Sequence, residues 1–292
     1  MCEIHPEKYD CTAKIHTCGF LLDFLCDSVY DVCMEFAGIT DIAIYGTDCV
    51  ADISRGTSDV AQFISAKEKF FDVKVADGTL TVTQKTRNIF YRIIMRRFEF
   101  KIILPKGFRG RLRFRNNNGG LYLKGGDFSD VELATKNGKF ELCDANIGGM
   151  SLKMSNGTLN IKSMNAYDSI AVKCQNGNIK AESVSTPSFN ISCTNASLSA
   201  IDIKAKKFDC STSNGTIDAS GIVSDDIRLE TSNGKITAMP LGTRDDYKLS
   251  AETSNGLITI DGVPFRKISD VNQAAKLMSA KTSNGEIDIR FV

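Results

Sequence analysis

The sequence predicts a mainly β protein: a single β-solenoid of about 19-residue rungs with an N-terminal helical cap. Three observations carry that expectation. Asn-Gly recurs at Asn118, Asn137, Asn156, Asn176, Asn214, Asn233, Asn255 and Asn284, and Asn195-Ala196 fills the one gap. Apolar residues stand in fixed columns on both sides of each Asn. Residues 1–38 follow a different pattern altogether.

The chain has 292 residues, 42% of them hydrophobic, enough to bury a sizeable core. Its net charge of +1 excludes a globally basic nucleic-acid binder. His5 and His16 are the only histidines, so the commonest general base is absent from the repeats. No export signal or membrane-spanning segment is readable: the apolar run after Gly19 is broken by Asp23, Asp27 and Asp31. With ten cysteines and no such signal, the expectation is reduced thiols and a cytoplasmic location.

The first segment, 1–38, reads as an amphipathic helical cap. Leu21, Leu25, Val29, Val32 and Phe36 recur at helical spacing, and Asp23, Asp27, Asp31 and Glu35 form an acidic stripe. An open solenoid needs such a cover, because its ends are otherwise exposed edges. Cys2, His5, Cys11, His16 and Cys18 do not match the short Cys-Cys spacings of zinc modules, and no metal site or cofactor is expected.

The second segment, 39–108, is an irregular β lead-in. Asp77-Gly78, flanked by Phe71, Val73, Val75, Leu80 and Val82, resembles a first rung. From Lys85 to Arg115 eleven basic residues face one acid, Glu99, a local charge of +10. Arg109, Arg111, Arg113 and Arg115 alternate with Leu112 and Phe114 and so form a row on one outer strand face. Arg87, Arg92, Arg96 and Arg97 surround Phe90 and Tyr91 just before it. The bland reading is a solvated strand face. The functional one is a site for an anionic surface, glycan or protein, since the guanidinium fork suits phosphate and carboxylate. Nucleic acid fits less well, because no recognition helix or RNA-reading aromatic motif appears.

The third segment, 109–292, holds the regular repeats. The steps between successive Asn are 19, 19, 20, 19, 19 and 19 residues up to Asn233, then 22 and 29. Constant period is the mark of a stacked architecture. Leu133, Leu152, Val172, Ile191, Cys210 and Leu229 stand four before the Asn; Phe140, Leu159, Ile179, Leu198, Ile217 and Ile236 stand three after. Polar residues alternate with them, so each limb is a strand with one buried face. The expected corners are Asn137-Gly138, Asn156-Gly157, Asn176-Gly177, Asn214-Gly215, Asn233-Gly234, Asn255-Gly256 and Asn284-Gly285, chosen because both residues tolerate positive φ. On that argument Ala196 is strained, and Ala196→Gly should stabilise. A meander of hairpins also fits the turns, but a solenoid explains the identity within columns. Cys174 and Cys193, in one column on adjacent rungs, are expected as buried free thiols. Ends left exposed would offer a route to oligomers.

The repeating Thr-Ser-Asn-Gly-x-Ile units, "DGTLTVTQ" at 77–84 and "FEFKIILPKG" at 98–107 together resemble the bacterial putative-adhesin family, a domain of unknown function built of β-repeats. The resemblance runs over roughly residues 39–292. It implies a β-solenoid without known enzymatic activity, often linked to the cell envelope or surface. The expected function is therefore a non-enzymatic binding or scaffold module. The alternative is a carbohydrate-active solenoid enzyme using the outward acids Asp209, Asp218, Glu230, Glu252 and Asp288.

Overall fold

The structure, a computed structural model, describes residues 14–17, 32–85, 98–270 and 273–292. Strands dominate, and the described residues contain no α-helix, only two short 3-10 turns. The repeats form long strands, Arg111–Phe128, Asp130–Ile147, Met150–Ala166 and Ser169–Asn214, each pairing in parallel with the next. Val131 pairs with Leu112 and with Met150, and Asn137 pairs with Asn118 and with Asn156. Every repeat thus hydrogen-bonds to the equivalent residues of its neighbours. This is the register of stacked rungs, and it excludes the meander.

Stacking in register turns columns into ladders. Leu133, Leu152, Val172, Ile191 and Leu229 are at most 1% exposed, as are Phe140, Leu159 and Ile179 on the limb after the Asn. Two-residue alternation places these side chains inside and the Lys, Ser, Thr and Asp residues outside. The Thr two before the Asn also points inward, as Thr212, Thr231 and Thr282 do. A buried hydroxyl needs a partner. Thr231 Oγ1 donates to the Gly215 carbonyl of the preceding rung at 3.1 Å, and Thr282 Oγ1 to that of Gly234 at 3.2 Å.

The Asn side chains form a ladder of their own. Asn137 Nδ2 donates to Asn118 Oδ1, Asn156 to Asn137, and so on through Asn176, Asn195, Asn214 and Asn233, all at 2.7–2.8 Å. Asn118 Nδ2 in turn donates to Asp48 Oδ1 at 2.7 Å.

The order of rungs is not the order of sequence. Lys276–Asn284 lies between Asp226–Asn233 and Tyr247–Asn255, parallel to both. The ladder follows: Asn284 donates to Asn233, and Asn255 donates to Asn284. The last strands of the chain form the penultimate rung, and the rung of Asn255 is terminal. Two antiparallel strands cover it, Val263–Phe265 against Ile258–Ile260 and Lys267–Ser269 against Tyr247–Asn255.

The lead-in differs from expectation at two points. Asp77 and Gly78, at φ 47° and 72°, form a tight hairpin turn between antiparallel Phe71–Ala76 and Thr79–Gln84, not a rung corner. The extra rung is instead Asp41–Tyr45 with Cys49–Arg55, parallel to Arg111–Phe128. Below it lie Thr79–Gln84 and Phe98–Leu104.

The helical cap is overturned where it can be seen. Val32–Phe36, the predicted last turn of the helix, is a strand antiparallel to Ala61–Ser65, and Lys14–Thr17 pairs antiparallel with it. Residues four apart share a face in a strand as well as in a helix, so Val32 and Phe36 do not discriminate between the two. Leu21, Leu25, Val29, Asp23, Asp27 and Asp31 lie outside the described residues. Near this end of the stack, a sheet and an aromatic cluster bury the core: Phe63, Phe71 and Phe100 pack with ring centroids 4.9–5.8 Å apart, and Phe70 sits 5.1 Å from Phe98.

Candidate functional site

Strand alternation puts Arg111, Arg113 and Arg115 on the outer face of their limb, with Leu112 and Phe114 fully buried beneath. Arg109 is exposed in the loop before it. Arg87, Arg92, Arg96, Arg97, Phe90 and Tyr91 lie outside the described residues.

The row is partly neutralised by the next rung. Glu132, paired in register with Arg113, accepts from Arg115 Nη2 at 2.6 Å and from Arg113 Nε at 2.9 Å. These bonds, Arg115's first, hold the Glu132 carboxyl below its ordinary pKa. A depressed carboxyl contributes its stability above the unfolded value and loses it as pH falls, so acid releases both arginines. Arg113 is held further in its charged form by Tyr45, which touches it from the rung below.

Beyond Glu132 the positive charge continues without acids. Three residues before successive Asn stand Arg115, Ala134, Lys153 and Lys173, in register down the stack. Lys136 stands one before Asn137. A shallow groove of 430 Å³ runs across these rungs, walled by Arg115, Lys136, Lys153 and Lys173 and floored by Ala134 and Met154. Among the described residues, no carboxylate lies within ion-pair distance of Lys136, Lys153 or Lys173. On the other limb four outward lysines are paired, Lys139 with Glu141, Lys162 and Lys180 with Glu182, Lys235 with Glu286, while Lys124 has no carboxylate within ion-pair distance among the described residues. Sequence reading along the chain missed the three lysines because they are 17–20 residues apart; reading down the columns would have found Lys153 and Lys173 beside Arg115.

The acids of the enzymatic alternative do not converge. Asp218 and Asp288 share a limb but are separated by the rung of Thr237, and Asp288 is bound by Arg290 at 2.8 Å. Glu230 and Glu252 are separated by Lys281, and Glu252 is paired with Lys267 at 2.7 Å. Asp209 lies on the limb of Glu230, one rung earlier and two residues off its column.

Cys174, Cys193 and Cys210 are buried free thiols inside the stack. Cys193 donates to Cys174, which lowers the Cys174 pKa and raises its own; burial raises that of Cys210. Among the described residues no group of His, Cys, Asp and Glu is arranged to hold a metal ion.

A comparison with curated proteins finds none that matches. Among solved structures, the chain is similar to a putative adhesin from Parabacteroides merdae, at 13% identity over 90% of this chain and 96% of that one, with a TM-score of 0.41. It is similar to a putative adhesin from Bacteroides fragilis, at 11% identity over 91% and 98%, TM-score 0.40. A third is a putative lipid binding protein from Parabacteroides distasonis, at 14% identity over 90% and 96%, TM-score 0.42. The family model of the toastrack domain DUF4097 matches twice, over residues 39–167 and 162–292, and so spans both the lead-in and the repeats: the chain belongs to the DUF4097 toastrack family.

Proposed function

We propose that this chain is a non-enzymatic binding module on a solenoid scaffold, and that it takes an anionic polymer or surface on the face of Arg109, Arg111, Arg113, Arg115, Lys136, Lys153 and Lys173. The observation that carries this is the stacking of Lys153 on Lys173 in register, with no carboxylate beside either. Like charges directly opposite each other on paired strands destabilise a sheet. On the other limb Lys139, Lys162, Lys180 and Lys235 each have a carboxylate partner. An anion lying along the groove would offset the repulsion, and the small Ala134 leaves room for it between Arg115 and Lys153. Function as a binder asks only for such a surface, whereas the glycan-active alternative asks for two facing carboxylates.

The test uses the full chain on immobilised heparin and with vesicles of anionic or neutral lipid. Replacing both Lys153 and Lys173 by Glu should lower the salt needed for elution from heparin, or abolish sedimentation with the anionic vesicles. Glu132→Gln should do the reverse by freeing Arg113 and Arg115. Both effects should fade with ionic strength. Whichever of the two supports shows the effect identifies the kind of anion. Retention by neither, or retention that all three proteins share equally, would overturn the proposal.

A further inference from the structure

The four Thr-Ser-Asn-Gly units differ in one structural respect that their sequences do not reveal. An Asn-Gly peptide bond can rearrange: the Gly backbone nitrogen attacks the Asn side-chain carbon, forming a five-membered imide and expelling ammonia. Water then opens the ring to aspartate or isoaspartate. The reaction needs the Gly nitrogen unengaged and the Asn side chain free to swing onto it, so hydrogen bonds to either suppress it.

Seven of the eight Asn-Gly units are locked on both counts. Their Asn oxygens, from Asn118 through Asn233 and including Asn284, each accept from the next rung at 2.7–2.8 Å. Gly215, Gly234 and Gly285 donate their N–H to the following rung's Asn carbonyl at 3.1 Å. Gly119, Gly138, Gly157 and Gly177 stand inside continuous strand ladders. Asn255-Gly256 is on the terminal rung. Asn255 still donates to Asn284, but no further rung donates to its oxygen, and the N–H of Gly256 has no backbone acceptor.

The covering strands do not reach this corner. Lys267–Ser269 pairs with Ser250–Glu252, and Val263–Phe265 with Ile258–Ile260, which leaves residues 253–257 between them. Ser254, Asn255, Gly256 and Leu257 are all exposed, whereas Gly215, Gly234 and Gly285 are only half so.

We propose that Asn255 is a site of spontaneous deamidation, selected by its place at the end of the ladder. The product is a new carboxylate at the end of the stack. It cannot donate to Asn284, so the modification also removes the side-chain bond that fastens the terminal rung.

Peptide mapping tests this within one molecule. The full chain is aged in mildly alkaline buffer and digested with trypsin. Asn214, Asn233, Asn255 and Asn284 then fall in four separate peptides, Phe208–Arg228, Leu229–Lys235, Leu249–Arg266 and Thr282–Arg290. In the native protein the Asn255 peptide should convert about tenfold faster than the other three, the factor one lost hydrogen bond's worth of protection corresponds to. In urea the four should convert at similar rates, because each carries the same Thr-Ser-Asn-Gly. Equal native rates, or an Asn255 lead that persists undiminished in urea, would overturn the proposal.

Discussion

Gly157 shows what the corner column selects. A Cβ there would lie 1.8 Å from the Gly138 carbonyl oxygen of the preceding rung. The same clash, at 1.9 Å, faces Gly138, Gly177, Gly234, Gly256 and Gly285, although Gly138, Gly234, Gly256 and Gly285 do not have a positive φ. Close approach of stacked backbones therefore asks for glycine at these corners, and at Gly157 and Gly177 a φ of 145° and 154° asks for it as well. A second set of positive-φ residues stands seven after the Asn: Gly125, Asp144, Ser163, Ser183, Asp202 and Gly221, at φ 52–74°. Ala196 has no positive φ and its side chain is 3% exposed. The strain expected there from sequence does not exist. Gly157→Ala should cost about 2–3 kcal/mol, from overpacking against the Gly138 carbonyl and from a φ of 145° that alanine rarely adopts. Ala196→Gly should destabilise by about 0.5–1 kcal/mol, from backbone entropy and the lost buried methyl. Urea denaturation of both variants measures this, and stabilisation by Ala196→Gly would restore the argument from φ.

At the scale of elements, the terminal hairpin is a stop. Asp261 and Gly262, at φ 49° and 80°, turn Ile258–Ile260 back into Val263–Phe265. With a two-residue turn, Ile260 and Val263 close the hairpin through hydrogen bonds, so the next pair, Thr259 and Pro264, points its backbone groups outward. The residue on that outer edge is the one that has no N–H to offer. Val263 and Phe265 beside it are 54% and 36% exposed, an apolar edge that would otherwise recruit another strand. Pro264→Val should therefore raise self-association, read by sedimentation at several concentrations. An unchanged distribution would mean that the side chains, not the missing donor, protect this edge. At the other end the cover is likewise antiparallel sheet, backed by Phe63, Phe71 and Phe100.

For the whole molecule, the inserted strand explains the irregular steps of 22 and 29 residues in the Asn series. The chain leaves the stack after Pro240, builds the terminal rung, passes through its cover and returns to fill the gap with Lys276–Asn284 and Ile287–Ile289. The terminal rung's parallel pairing is therefore only with the last strands of the chain. Deleting residues 276–292 should remove hydrogen-exchange protection from Tyr247–Asn255 and Ile258–Ile260 while leaving the rungs up to Leu229 protected, since rung stacks are stabilised by nearest neighbours. Retained protection in the truncated chain would show that Asn255 can stack directly on Asn233.

Periodicity is a local property of the chain, and the sequence by itself determined what depends on it. The rung length, the inward columns and the outward arginines on their strand were all legible, because two-residue alternation and a constant step leave few other solutions. What only the tertiary structure decided depends on which rungs meet. The Asn residues read as turn formers, but their amides form the ladder, visible only once rungs are stacked. Lys136, Lys153 and Lys173 join Arg115 across rungs, and Glu132 takes half of the arginine row, through contacts between residues 17–58 apart in sequence. Near-identical Thr-Ser-Asn-Gly rungs can stack in any order with similar hydrogen bonds. The order 233, 284, 255 is therefore absent from the repeats themselves and is set by the covering hairpin and strand, which fit only the last place in the stack.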